Sequence, residues 1–184
     1  MKNIYFIRHC SADGQHKDSP LTTIGMRQAH LISNFFSDQD IKIDKIISSP
    51  YLRAIESIKP FSEKTLTEIE IDERLKERIL SVEPIDDWIE VLEQSFNDQH
   101  FALPGGESAL DAVQRVNKVF ESIYGNDNVK NAVIVSHGNL MALFLRQYDR
   151  DFGFKKWKEL QSPDIYLIKY EKGYFSTECV WNNC

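Results

Sequence analysis

The chain has 184 residues, 42% of them apolar, enough to bury one sizeable core and marginal for two. Its formal net charge of -6, with no basic cluster, argues against nucleic acid as the main partner and leaves any anionic ligand to be held by local arginines against the global field. No apolar run is long enough to span a bilayer, and Cys10, Cys179 and Cys184 form neither a CxxC pair nor an even disulfide set. The expectation is a cytoplasmic protein with reduced thiols, no membrane segment and no cleaved leader.

The first element is Lys2 to Cys10, KNIYFIRHC, an apolar and β-branched run that reads as a buried strand ending in Arg8 and His9. A polar loop with turn signals at Asp13-Gly14 and Ser19-Pro20 leads to a helix capped by Thr22 or Thr23. Its apolar face is expected to comprise Met26, Ala29, Leu31, Ile32, Phe35 and Phe36, ending near Ser37. Ile41 to Ile47 is the second strand candidate. Ser49 is placed to cap the next helix and Pro50 to open it, which puts Arg53 in the first turn, and Pro60 should kink or end that helix.

Thr67 to Ile71 reads as a short third strand. The stretch 72–106 then turns acidic, is interrupted by Pro84 and Pro104, and holds one expected helix around Ile85 to Phe96; it reads as a lid or insertion over the sheet edge. Glu107 to Tyr124 is amphipathic, with Leu110, Val113, Val116, Val119, Phe120 and Ile123 at helical spacing. Ala132 to Val135 is a continuous apolar run typical of a central parallel strand, ending in Ser136-His137-Gly138 before a helix from Asn139 to Gln147. Ile165 to Tyr170 and Tyr174 to Val180 flank Lys172-Gly173 as a terminal hairpin. Without repeats or a linker, the alternation implies one α/β domain over residues 1–184, a three-layer α/β/α sandwich with a mostly parallel central sheet.

Two strands therefore end in a histidine. If they are neighbours, Arg8, His9 and His137 share one crevice at the carboxyl ends of the strands, and Arg53 joins them. Two guanidinium groups suit a phosphoryl group, a neutral imidazole can attack phosphorus, and a second, cationic imidazole can stabilise the charge that develops. The helix start after Gly138 offers backbone N–H donors to an anion.

The pieces FIRHC, LTTIGMRQA from Leu21, SSPYLRAIES, LKER, PGGES and VSHGN stand in an order that resembles the histidine phosphatase superfamily, also called the phosphoglycerate mutase-like family, over nearly the whole chain. The resemblance implies a phosphoglycerate mutase-like sandwich and a phosphatase acting on phosphomonoesters without metal or cofactor. It makes His9 the phosphorylated nucleophile and Glu77 the proton donor. Arg8, Arg53 and His137 would bind and stabilise the phosphoryl group, with Gly138, Gln15 and Glu107 as further substrate contacts.

Glu77 has a requirement of its own, since an acid near neutral pH has to keep its proton. Cys10 stands where the family has glycine, Ala12 where it has a small hydroxyl residue and Gln15 where it has asparagine. Cys10 reads as a small apolar core residue in preference to a reactive thiol. His16, His30 and His100 lack metal-ligand spacing.

Two alternatives stand beside hydrolysis. A mutase would share the first step and need extra cationic contacts, for which Lys17, Arg74 and Arg78 are the candidates; a non-catalytic phosphate-binding module would not need a nucleophile aligned with an acid. The acidic lid favours hydrolysis. The expected partner is a small phosphomonoester, and the protein itself is a monomer or homodimer.

Overall fold

The structure is a computed structural model that describes residues 1–181. Chain order is β1 (Lys2–Arg8), α1 (Thr23–Asp38), β2 (Lys45–Ser48), α2 (Leu52–Thr65), β3 (Ile69–Ile71) and a 3-10 turn at Glu73–Leu75. There follow α3 (Trp88–Asn97), α4 (Ala109–Tyr124), β4 (Asn131–Ser136), α5 (Gly138–Leu145), α6 (Phe154–Glu159), β5 (Ile165–Glu171) and β6 (Tyr174–Cys179).

The strands form a six-stranded sheet in the order β3-β2-β4-β1-β5-β6. Neighbours from β3 to β1 pair in parallel, and β5 pairs antiparallel with both β1 and β6. The chain leaves β1 for β2 by way of α1 and returns later to insert β4 between them, so β1 and β4 are neighbours. Their register pairs Arg8 with Ser136, and Ser48 of β2 with Val135, which brings three strand ends level at one edge. That is the crevice where open α/β sheets bind ligands.

The period of two in β1 sorts its side chains into two cores. Tyr5 and Ile7 face α1 and α2 together with Ile46, Val133 and Val135. Ile4 and Phe6 face α4 and α5 with Ala132 and Ile134. Edge-to-face rings fix each layer, Tyr5 on Phe36 at 5.1 Å on one side and Phe6 on Phe120 at 5.4 Å and on Phe144 at 5.5 Å on the other. This is the expected three-layer sandwich.

Several local expectations give way to packing. In α1, capped by Thr22, the face on the core is Gly25, Ala29, Ile32, Ser33 and Phe36, while Met26 and Leu31 are exposed; close approach to α2 favours the small residues. Gly25 is required there, because a Cβ would come within 2.0 Å of the Ser11 carbonyl oxygen. Pro60 neither ends α2 nor breaks it, since Phe61 just beyond is buried against Phe36, at a ring separation of 5.0 Å, and holds the last turn in place. Ser49 does not cap α2, whose N-cap is Tyr51 without a side-chain bond. β2 and β3 are shorter than expected, and α6 was not anticipated.

In α4 the buried stripe is Ala109, Ala112, Val116, Val119, Phe120 and Ile123, so Leu110 and Val113 lie at its margin. Lys172 and Gly173 both take positive φ in the hairpin turn. Cys10 is a free buried thiol. Cys184 lies outside the described residues. Among the described residues no helix is long and apolar enough to cross a membrane.

Candidate active site

His9 follows directly on β1, with its backbone N–H bonded to the Ser136 carbonyl at 3.0 Å. Its ring is held from both ends. Nδ1 lies 2.7 Å from the Cys10 carbonyl, and Arg53 Nε donates to Nε2 at 3.2 Å. A carbonyl accepts only from N–H and a guanidinium only donates, so the partners assign the proton to Nδ1 and leave a lone pair on Nε2. Burial, with the charges of Arg53 and Arg8 beside it, pulls His9 down to about 4, so the imidazole is neutral at neutral pH.

Arg53, only 1% exposed, organises the interior of the site. Besides His9, its Nη1 donates to the carbonyls of Gln15 at 3.1 Å and His16 at 2.9 Å, and Nη2 lies 3.4 Å from His137 Nδ1. The other ring nitrogen of His137, Nε2, is 2.7 Å from Ser49 Oγ. The two imidazoles sit 5.2 Å apart. His137 is driven well below its usual value by burial and then by His9 and the surrounding arginines. A dianionic phosphoryl group against it would push in the opposite direction.

Arg8 donates through Nη1 to the Leu160 carbonyl at 2.6 Å, while its buried Nε has no partner. Burial lowers the pKa of both arginines, opposed in each by Glu77, and a guanidinium stays charged through such a shift. Gly138 lines the cavity, and it has a steric task as well. A Cβ there would stand 2.9 Å from Arg8 Nε and 3.0 Å from Cζ, so glycine makes room for this guanidinium.

The helix start after Gly138 is already occupied. Every residue of α5 is buried, so its first N–H groups cannot turn to water. The Glu77 carboxylate takes them, with Oε2 accepting from Asn139 N at 3.0 Å, Oε1 from Leu140 N at 3.0 Å, and Oε1 also from its neighbour Arg78 N at 2.8 Å. Glu77, Arg8, His9 and the Gln15 loop line one cavity of about 600 Å³. Arg53 and His137 lie behind His9 and do not line it.

Other expected contacts are committed elsewhere. Glu107 forms a bidentate pair with Arg115 at 2.6 and 2.8 Å and does not line the cavity. Arg78 lines it but is buried and donates to the Glu107 carbonyl at 2.8 Å and to Ser95 Oγ on α3 at 2.6 Å, pinning that helix. Arg74 is paired with Asp72, and the exposed Lys17 with Asp18. Burial raises the Cys10 thiol to about 12, while its backbone N–H is anchored to Ser57 Oγ at 2.8 Å; it is an inert filler behind the nucleophile.

Three residues escaped the sequence reading. Asn139 stood unremarked inside VSHGN, yet it is 7% exposed with both amide atoms buried and unpartnered, and it lines the cavity. Ser49 was read as a helix cap. Asp164 is a buried carboxylate whose charge acts on Arg8, and burial raises its pKa.

A neutral imidazole beside the half-buried Arg8 and the buried Arg53 guanidiniums, at the strand ends of an α/β sandwich, makes a site suited to a tetrahedral oxyanion. The chain belongs to the histidine phosphatase superfamily (branch 1), whose profile matches residues 4–183. It is 30% identical over 156 residues, 77% of this chain and 75% of the other, to a Hydrogenobacter thermophilus protein named "Putative phosphoserine phosphatase 2". It is also 30% identical over 161 residues, 79% and 74% of the two chains, to the Yersinia pestis "Probable phosphoglycerate mutase GpmB".

Among solved structures, a mycobacterial glucosyl-3-phosphoglycerate phosphatase superposes with a TM-score of 0.78 at 19% identity, covering 100% of both chains. A mutant phosphoserine phosphatase from Entamoeba histolytica in complex with phosphoserine gives 0.77 at 19% identity, covering 97% of this chain and 96% of that one. These two likenesses establish the fold.

Proposed function

We propose that the protein is a phosphatase that hydrolyses phosphomonoesters through a phosphohistidine on His9. The observation that carries this reading is the proton placement on His9: Nδ1–H is tied to the Cys10 carbonyl, and the Nε2 lone pair faces Arg53. An imidazole fixed in that tautomer, neutral at neutral pH, is a nucleophile ready for phosphorus.

In the first step a phosphoryl group reaches the His9 end of the cavity, where the unpartnered Arg8 Nε donates to its oxygens and Arg53 Nε exchanges its bond to His9 Nε2 for one to the incoming group, freeing the lone pair. The His9 Nε2 lone pair forms the N–P bond as the bond from phosphorus to the ester oxygen breaks. Glu77, in its protonated form, gives its proton to the departing oxygen. In the second step a water passes a proton back to Glu77 and attacks phosphorus, the N–P bond breaks, and phosphate leaves. The arginines face the charge that develops on the phosphoryl oxygens, with His137 braced behind them between Arg53 and Ser49. The segment around α3 serves as the lid.

The mutase reading draws on the relative named for that activity. Hydrolysis is favoured because, among the described residues, the one cation lining the cavity beyond the phosphoryl end, Arg78, already donates to the Glu107 carbonyl and Ser95 Oγ. The test is p-nitrophenyl phosphate hydrolysis in the presence of chelator by the wild type and by His9→Ala, with detection of an acid-labile phosphoryl-enzyme. Turnover and label that are both lost in the variant support the proposal, and turnover that survives the loss of His9 overturns it.

A further inference from the structure

We propose that the alcohol released by this enzyme is uncharged and carries an aromatic ring, an inference that rests on the phosphatase reading above and narrows it. The cavity of about 600 Å³ is far larger than a phosphoryl group, and its wall beyond Glu77 is Leu80, Trp88, Leu92 and Trp157. The two indoles approach each other from different elements, Trp88 from α3 and Trp157 from α6, with ring centroids 6.3 Å apart at 88°. Trp157 is stacked on Phe154 at 5.5 Å and 20°, so its plane is set before any ligand arrives. Trp88 is 47% exposed, leaving a large apolar surface at the mouth that a flat ring would cover.

Charge selects in the same direction. From Ile79 to Gly106 the chain has no lysine or arginine and carries Glu83, Asp86, Asp87, Glu90, Glu93 and Asp98. Of the nearby cations, Arg74 is ion-paired with Asp72 and Lys76 with Glu73, while Arg78 is held by two neutral acceptors, the Glu107 backbone carbonyl and Ser95 Oγ. A carboxylate or second phosphate on the leaving alcohol would meet this acidic stretch, and beyond Arg8 the one cation among the described residues lining the cavity, Arg78, is already turned to the Glu107 carbonyl and Ser95 Oγ, so desolvation of the second charge would be poorly compensated.

The experiment compares kcat/KM for benzyl phosphate, β-glycerol phosphate, 3-phosphoglycerate and phosphoserine. All four release an aliphatic alkoxide, so differences report the cavity and not the intrinsic reactivity of an aryl ester. Benzyl phosphate is expected to lead by about tenfold, and its advantage over β-glycerol phosphate to shrink several-fold in Trp157→Ala, chiefly through KM. Trp88→Ala, at an exposed lid position, gives the same readout should the first variant fail to fold. A preference for 3-phosphoglycerate or phosphoserine, or an advantage that neither variant moves, would overturn the aromatic assignment while leaving the phosphatase reading standing. Turnover of none of the four by the folded wild type would overturn both.

Discussion

Arg53 and His9 meet through Nε and Nε2 at 3.2 Å, so the side chain that would bind the phosphoryl group also holds the lone pair that would attack it. The same guanidinium donates to the carbonyls of Gln15 and His16 and reaches His137. A lysine has one nitrogen on a flexible stem and cannot serve these directions together. Arg53→Lys is expected to lower kcat/KM by about a hundredfold or more in a steady-state phosphatase assay, with vanadate inhibition weakened in parallel. Activity within a few-fold of wild type would remove Arg53 from the site.

The depressed pKa of His9 makes stability depend on pH in a definite direction. In the unfolded chain the imidazole takes a proton near 6.5, and in the native protein only near 4. Between those values the unfolded state binds more protons, so stability falls as the pH drops from 6.5 to 4, and His137 adds to the same trend. Thermal midpoints across this window are expected to fall less steeply for His9→Asn than for wild type. Stability is a cleaner readout than rate because a phosphomonoester itself titrates at about 6. Parallel curves would contradict the assignment.

Ser49 Oγ is the partner that orients His137, at 2.7 Å from Nε2. Because His137 Nδ1 faces the Arg53 donor, Nε2 carries the proton and Ser49 accepts it. Ser49→Ala removes that acceptor without touching a substrate atom. The expected result is a roughly tenfold lower kcat with KM little changed and a stability loss of about 1–2 kcal/mol, read from kinetics and denaturation together.

At Gly138 the constraint is space. A methyl group there would press on the Arg8 guanidinium, while the helix start itself tolerates alanine. Gly138→Ala should therefore fold and yet bind phosphate or vanadate about tenfold more weakly or worse, as competitive inhibition will read. Unchanged inhibition would mean that Arg8 does not depend on this gap.

How far the sequence carried these conclusions varies with the range of the contact. Periodicity located β1 and β4, and the residues at their ends fell together because neighbouring strands align their carboxyl ends. The resemblance then identified the histidines, the arginines and Glu77 as the group to watch. Contacts between segments far apart in the chain were not legible. Nothing near position 77 reveals that its carboxylate caps a helix starting at 138, and nothing near Ser49 reveals a histidine 88 residues away. The face of α1 was misjudged at Met26 and Leu31 because hydrophobicity alone does not report how closely α2 approaches. Glu107 looked like a ligand contact because Arg115, two helical turns on, could not be seen as its partner.

The two demands on Glu77 supply the last prediction. Its carboxylate accepts N–H bonds from Arg78, Asn139 and Leu140, and the same group is proposed to protonate the leaving oxygen. Glu77→Gln removes the transferable proton and turns an NH2 toward at least one backbone N–H, so α5 loses part of its cap at a cost of about 1 kcal/mol or more. The two effects separate by substrate. Benzyl alkoxide, the leaving group of benzyl phosphate, is strongly basic and needs the proton, whereas p-nitrophenolate departs without one. Glu77→Gln is therefore expected to depress hydrolysis of benzyl phosphate at least about tenfold more than that of p-nitrophenyl phosphate, with the thermal midpoint lowered independently of substrate. Equal losses on both esters, tracking the drop in stability, would reduce Glu77 to a helix cap and send the search for the acid to another group in the cavity.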